Sequence, residues 1–225
     1  MSRKTKNKKL KNVGCFILDK SGSMSSLQSQ VLSGFEEYIN TLKKKNVGGK
    51  FYLTLFDSES IEKPYQGVSV NEVEPLTNST YKPLGMTPLY DAVVKTIKQM
   101  QSEIDDMDEN TAVSVVIMTD GMENDSREYT EKDMSDLVKK LTKKGNWTFA
   151  YMGANQDSWA QAQKFGIAQG NTMNWAATGK GTRSAFSSLA NASHQHVMAM
   201  AAIVGSGGGG GSLNSTDFFQ PEDTK

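Results

Sequence analysis

Two runs made almost wholly of apolar residues constrain this chain most: Val13-Gly14-Cys15-Phe16-Ile17-Leu18, which ends at Asp19, and Ala112-Val113-Ser114-Val115-Val116-Ile117-Met118, which ends at Thr119-Asp120. Runs of this length without alternation read as strands buried on both faces, the habit of parallel sheets. Around them the apolar residues fall at helical spacing. Leu27, Val31, Phe35, Tyr38 and Leu42 form one stripe within Ser23 to Lys45. Leu89, Val93, Ile97, Met100 and Ile104 form another behind Thr87-Pro88, a cap followed by a first-turn proline. Met134, Leu137, Val138 and Leu141 follow the capping pattern Thr130-Glu131-Lys132-Asp133. Lys50 to Asp57 and Trp147 to Met152 add strands, Ile61 to Val70 with Pro64 an edge strand, and Asn171 to Ala176 a weaker one. Asn155 is expected to cap a short helix carrying Trp159, Ala162 and Phe165, and a last helix from Arg183 to Val204 turns Phe186, Leu189, Val197, Met200 and Val204 inward. Alternating strands and helices predict an α/β fold: a single doubly wound, mostly parallel sheet flanked by helices, with one antiparallel edge strand.

The 225 residues suit one such domain, and no apolar run approaches the roughly 18 residues of a membrane span. A lone cysteine, Cys15, excludes an intramolecular disulfide framework and points to a reducing, cytoplasmic setting. The apolar run after the basic start is too short for a signal-peptide core, normally about 7 to 15 residues. The zero net charge hides an asymmetry. Arg3, Lys4, Lys6, Lys8, Lys9 and Lys11 are unopposed by any acid in residues 1–11, which leaves the body acidic. Residues 1–11 therefore read as a flexible basic arm. Nucleic-acid binding is the lesser reading, because no aromatic residue is interleaved for stacking. At the other end, Gly205-Ser206-Gly207-Gly208-Gly209-Gly210-Gly211-Ser212 opens a disordered tail over 205–225, in which Phe218-Phe219 is the only feature able to dock. The domain is expected to span 12–204.

Open parallel sheets bind ligands beyond the carboxyl ends of their strands, where the strand order reverses. If the order is 3-2-1-4-5-6, Asp19 and Asp120 face one another there. Two carboxylates held together either share a proton or hold a cation. Ser21, Ser23 and Thr87 add neutral hydroxyl oxygens, Gly22 allows the tight turn that aligns the two serines, and an all-oxygen donor set suits Mg²⁺ with retained waters. Such an ion can take one more anionic oxygen from outside. Taken singly, each residue has a plainer reading as a turn or helix cap.

Asp19-x-Ser21-x-Ser23, then Thr87, then Asp120 resemble the metal-ion-dependent adhesion site of von Willebrand factor A domains, and the resemblance covers about residues 12–204. Gly85-Met86-Thr87-Pro88-Leu89-Tyr90-Asp91-Ala92 and Gly153-Ala154-Asn155-Gln156-Asp157 look like the small stand-alone bacterial and phage members. The resemblance implies that Ser21, Ser23 and Thr87 bind metal directly, and Asp19 and Asp120 directly or through water. The ion would be Mg²⁺, with Mn²⁺ or Ca²⁺ also possible. It implies a non-enzymatic module that captures the Asp or Glu carboxylate of a protein partner, with no membrane role. In some relatives the last helix slides when the threonine joins the metal.

The rival classes fare worse. A P-loop is missing, since Gly179-Lys180-Gly181-Thr182 has the wrong spacing. An EF-hand starting at Asp19 would need Gly and Glu where Met24 and Gln30 stand. A phosphoryl-transfer enzyme with Asp19 as nucleophile would want a second Asp where Ser21 stands. His194 and His196, two apart on a helix, cannot share an ion and read as surface or half-buried residues. Glu123 and Asp125 read as a solvated turn, Trp147, Trp159 and Trp175 as core, and Met198 and Met200 as packing.

Overall fold

The computed structural model describes residues 9–104, 108–154, 157–206 and 212–219. Six strands form one sheet: β1 (Lys11–Asp19), β2 (Lys50–Phe56), β3 (Ile61–Ser69), β4 (Thr111–Thr119), β5 (Trp147–Ala154) and β6 (Thr172–Trp175), in the order β3-β2-β1-β4-β5-β6. Every neighbouring pair is parallel except β2 with β3, which lies on the edge and carries Pro64 where no ladder donor is required. β1 and β4 run side by side in register from Lys11–Thr111 to Leu18–Met118, so the order reverses between them. That register brings Asp19 and Asp120 to the same edge of the sheet.

Five helices cover the two faces: α1 (Gln28–Lys44), α2 (Leu89–Glu103), α3 (Glu131–Thr142), α4 (Ser158–Lys164) and α5 (Gly179–Gly205). Side chains alternate across the sheet. Phe16, Leu18, Val116 and Met118 meet Val31 and Phe35 of α1 and Phe186 and Leu189 of α5 in one core. Cys15, Ile17, Val115 and Ile117 meet Val93 and Ile97 of α2, Val138 of α3 and Phe165 beside α4 in the other. Burial pushes the Cys15 thiol far up, which keeps it protonated and unreactive.

Several expectations need correction. The stripe from Ser23 begins as a 3₁₀ turn, Gly22–Leu27, and becomes α-helical only at Gln28. α4 is capped by Asp157, whose carboxylate accepts the Ala160 amide; Asn155, the expected cap, lies outside the described residues. α5 starts at Gly179, four residues early, because the Thr178 hydroxyl caps it despite two glycines in its first turn. Met198 is exposed on the face opposite the core, Trp159 is 40 % exposed, and Val197 is only partly buried. Lys11, assigned to a flexible arm, is the first residue of β1, while residues 1–8 lie outside the described residues.

The largest correction concerns the tail. Residues 212–219 form a packed strap that buries Leu213, Phe218 and Phe219. Asn171 is its clamp: Nδ2 donates to the carbonyls of Phe149 (3.0 Å) and Ser215 (2.7 Å), and Oδ1 accepts the Phe218 amide (2.8 Å). The Leu213, Ser215 and Phe219 amides donate to Gly145 O, Thr148 Oγ1 and Gly170 O. A polar composition concealed this because only three residues of the strap are apolar enough to bury. Phe218 also covers His196, with 5.4 Å between ring centroids, so His196 is buried where an exposed or half-buried residue was expected. Burial lowers its pKa to about 4.

Candidate functional site

Each expected site residue stands at the carboxyl edge of β1 and β4 or on the loop entering α2. Asp19 closes β1 and is wholly buried. Its Oδ1 accepts the Ser21 amide at 2.7 Å and its Oδ2 the Thr119 hydroxyl at 2.6 Å, a bond that crosses from β1 to β4. The Ser21 and Ser23 hydroxyl oxygens lie 3.2 Å apart, and Ser23 Oγ donates to Asp120 Oδ1 at 2.6 Å. Thr87, buried just before α2, joins them from the third side. A Cβ built on Gly121 would stand 3.2 Å from Thr87 Oγ1 and 3.8 Å from Ser23 Oγ, so a bare residue at 121 keeps the space between those hydroxyls clear. The structure thus brings all five residues together.

The loops that carry them are stitched to one another by backbone. Gly22 N donates to Gly85 O (3.0 Å) and Leu84 N to Lys20 O (2.9 Å). Gly85 takes φ +68°, and a side chain there would run into Ser58 Oγ, the acceptor of the Met86 amide. Thr87 is held by a two-way exchange with Asn124: Thr87 N donates to Oδ1 (2.7 Å), and Thr87 O accepts the Asn124 amide (3.1 Å).

Electrostatically the site is short of positive charge. Burial, partly offset by the Thr119 and Ser21 hydrogen bonds, pushes the Asp19 carboxyl up to about 6. Burial also raises Asp120, against the Ser23 bond. The adjacent lysine is turned elsewhere: Lys20 Nζ pairs with Asp57 at 2.6 Å and Glu62 at 3.0 Å. Among the described residues no three His, Cys, Asp or Glu side chains cluster as a metal site. The donor set here is two carboxylates with three hydroxyls, which fits a hard divalent ion and leaves softer, nitrogen- or sulfur-seeking metals poorly served.

Several residues that hold the site were not read from the sequence. Thr119 stands next to Asp120 at a strand end, and that position was the one available signal. Tyr81 donates its hydroxyl to Asp19 O at 2.7 Å from a loop with no periodicity to flag it. Glu123, expected in a solvated turn, instead accepts the amides of Tyr90, Asp125 and Ser126, and Asp91 accepts those of Arg127, Glu128 and Tyr129. Together they lash the loop after Asp120 to the start of α2. Asp125, assigned to the same turn, pairs with Arg127.

No family model and no curated protein matches the chain. Solved structures do match in fold. The proximal thread matrix protein 1 of the mussel byssus aligns at 11 % identity and a TM-score of 0.59 over 83 % of this chain, and the match spans 47 % of the mussel protein, about half its length. A second structure of that protein has a zinc-occupied metal-ion-dependent adhesion site. A von Willebrand factor type A structure from Catenulispora acidiphila aligns at 16 % identity and 0.55 over 82 % of this chain and 43 % of its own. The manganese-loaded TRAP protein of Plasmodium vivax aligns at 18 % identity and 0.52 over 75 % and 69 %.

Proposed function

We propose that this chain, which has the von Willebrand factor A fold, is a non-enzymatic binding module that captures an acidic residue of a protein partner through a divalent ion. Asp19, Ser21, Ser23, Thr87 and Asp120 would hold the ion, Mg²⁺ in the first instance, with Mn²⁺ and Ca²⁺ as alternatives. Bound there, the ion supplies positive charge and exchangeable positions to an incoming Asp or Glu carboxylate.

The observation that carries this reading is the meeting of two buried or half-buried carboxylates with three hydroxyls and no facing cation among the described residues. Each carboxylate is held by a hydroxyl donor, Thr119 on Asp19 and Ser23 on Asp120, so the two stay near each other in a fixed orientation. Lys20 spends its charge on Asp57 and Glu62, which leaves the site's charge demand to an ion from outside.

The rim supports a protein partner. Leu84, Met86 and Met122 are 61 %, 47 % and 60 % exposed, and each stands within three residues of Thr87 or Asp120. They are three of the five large apolar side chains that lie exposed among the described residues. Apolar residues gathered around a polar centre suit a macromolecular surface better than a free carboxylate. Among the described residues no helix is long and apolar enough to cross a membrane.

Affinity capture with the full chain tests the reading. A partner should be retained in Mg²⁺, released by chelator, and lost with Thr87→Ala; replacing the partner's acids one at a time should then reproduce the chelator effect at a single position. Retention at full strength in chelator would place the partner on another surface.

A further inference from the structure

A second gathering of donors lies at the carboxyl end of edge strand β6, two strands from β4, where a cavity of about 340 Å³ opens between β6 and the first turns of α5. Its lining includes Met173, Trp175, Thr178, Lys180, Gly181 and Ser184, and no Asp or Glu. Alternation along β6 aims the indole at it. Asn174 turns to α4, where its Oδ1 accepts the Ser158 amide at 3.0 Å, so Met173 and Trp175 turn to the α5 side.

Trp175 is 6 % exposed, and its Nε1–H has no acceptor among the described residues. Buried indole N–H groups ordinarily have one. The start of α5 adds donors of the same kind. Thr178 takes the Gly181 amide on its hydroxyl and the Thr182 amide on its carbonyl. The amides of Gly179 and Lys180 are the first-turn donors left over, at the positive end of a 27-residue helix. A Cβ on Gly181 would fall 2.1 Å from Ala176 O; that close approach folds the strand exit onto the helix start and keeps Trp175 beside it. Lys180 brings an ammonium group to the exposed mouth.

We propose that this cavity is an oxyanion site of the phosphate class, independent of the paired aspartates. The Lys180 amide and ammonium hold the charged oxygens, and the Trp175 indole N–H supplies a further donor from the cavity wall. An acid-free lining backed by a helix N-terminus and a lysine selects for negative charge. The floor of Met173 and Ala185 leaves room for a small apolar substituent on the anion.

The test is a titration of the full ¹⁵N-labelled chain with inorganic phosphate in chelator, at constant ionic strength, followed by two-dimensional NMR. The indole resonance of Trp175, identified by its absence in Trp175→Phe, should shift saturably, together with the Lys180 amide and over the same concentration range. Lys180→Ala should weaken binding several-fold while leaving the melting temperature close to that of the parent, and Trp175→Phe, which removes the N–H together with half of a buried indole, should weaken it several-fold at some cost in melting temperature. Shifts that do not saturate at tens of millimolar phosphate, or that keep the parent's midpoint in both variants, would overturn the assignment.

Discussion

Ser23 Oγ donates a 2.6 Å hydrogen bond to Asp120 Oδ1 across 97 residues of chain, and so ties the loop after β1 to the loop after β4. The bond needs the parallel register of those two strands, and it holds Asp120 in place while the charge around it is uncompensated. Ser23→Ala in chelator should cost only about 1 kcal/mol, the usual worth of one hydrogen bond at a half-exposed site. In Mg²⁺ at a hundred times its dissociation constant the parent should gain about 2.7 kcal/mol. The Ser23 variant should gain clearly less, and Asp120→Ala nothing. Urea unfolding with and without Mg²⁺ reads all three.

Asp19 makes the metal-free protein pH-dependent in a defined direction. Its carboxyl rises from 3.8 to about 6 on folding, so the folded chain keeps a proton over that range which the unfolded chain releases. The stabilisation this group contributes is complete below about 3.8 and is lost as pH rises through 6. Asp19→Asn should therefore be more stable than the parent in chelator at pH 7.5, by roughly 1–3 kcal/mol, with the difference gone by pH 4. The Asn carbonyl can still accept the Ser21 amide. Urea midpoints at both pH values check it, and a destabilised variant at pH 7.5 would contradict the burial of this carboxyl.

His196 acts in the opposite sense. Its pKa falls from 6.5 to about 4 on burial, so its contribution is present above 6.5 and is lost as pH drops through 4, where the folded ring must also charge. The loss is on the order of 3 kcal/mol. His196→Leu should flatten the acid limb of the stability curve between pH 6.5 and 4, with Asp19 unaltered. Comparing denaturation midpoints of the two proteins across that window separates the two opposing groups.

The strap should be part of the fold. Phe218→Ala should cost about 3–5 kcal/mol, as for other buried phenylalanines. Asn171→Ala removes three hydrogen bonds and should cost about 2–4 kcal/mol. Stopping the chain after Ser206 should lower stability by at least as much as Phe218→Ala. Thermal unfolding of the three variants decides whether residues 212–219 are structural.

The sheet was legible because its two central strands carry long runs that are almost wholly apolar, broken only by Ser114, before ending in an acid. Val13 to Leu18 and Ala112 to Met118 could only be buried on both faces, and the helical stripes between them left a doubly wound sheet as the simple arrangement. The five site residues were legible as strand-end and loop-end oxygens in a recurrent spacing. What stayed hidden depends on tertiary contact. Tyr81 reaches Asp19 from an irregular loop, Asn171 clamps a strap more than forty residues away, and Glu123 and Asp91 cap backbone amides that no periodicity announces. The strap misled because its burial rests on Leu213, Phe218 and Phe219 alone, set in a sequence whose composition reads as linker.

The most direct test of the central claim is a Mn²⁺ titration followed by electron paramagnetic resonance, in which free ion gives the signal and bound ion does not. The parent chain should remove Mn²⁺ from solution saturably with one ion per chain, Mg²⁺ should compete for it, and Asp19→Asn and Asp120→Ala should leave the free-ion signal unchanged. A parent chain that binds no Mn²⁺, or variants that bind it as the parent does, would contradict a metal centre at Asp19, Ser21, Ser23, Thr87 and Asp120.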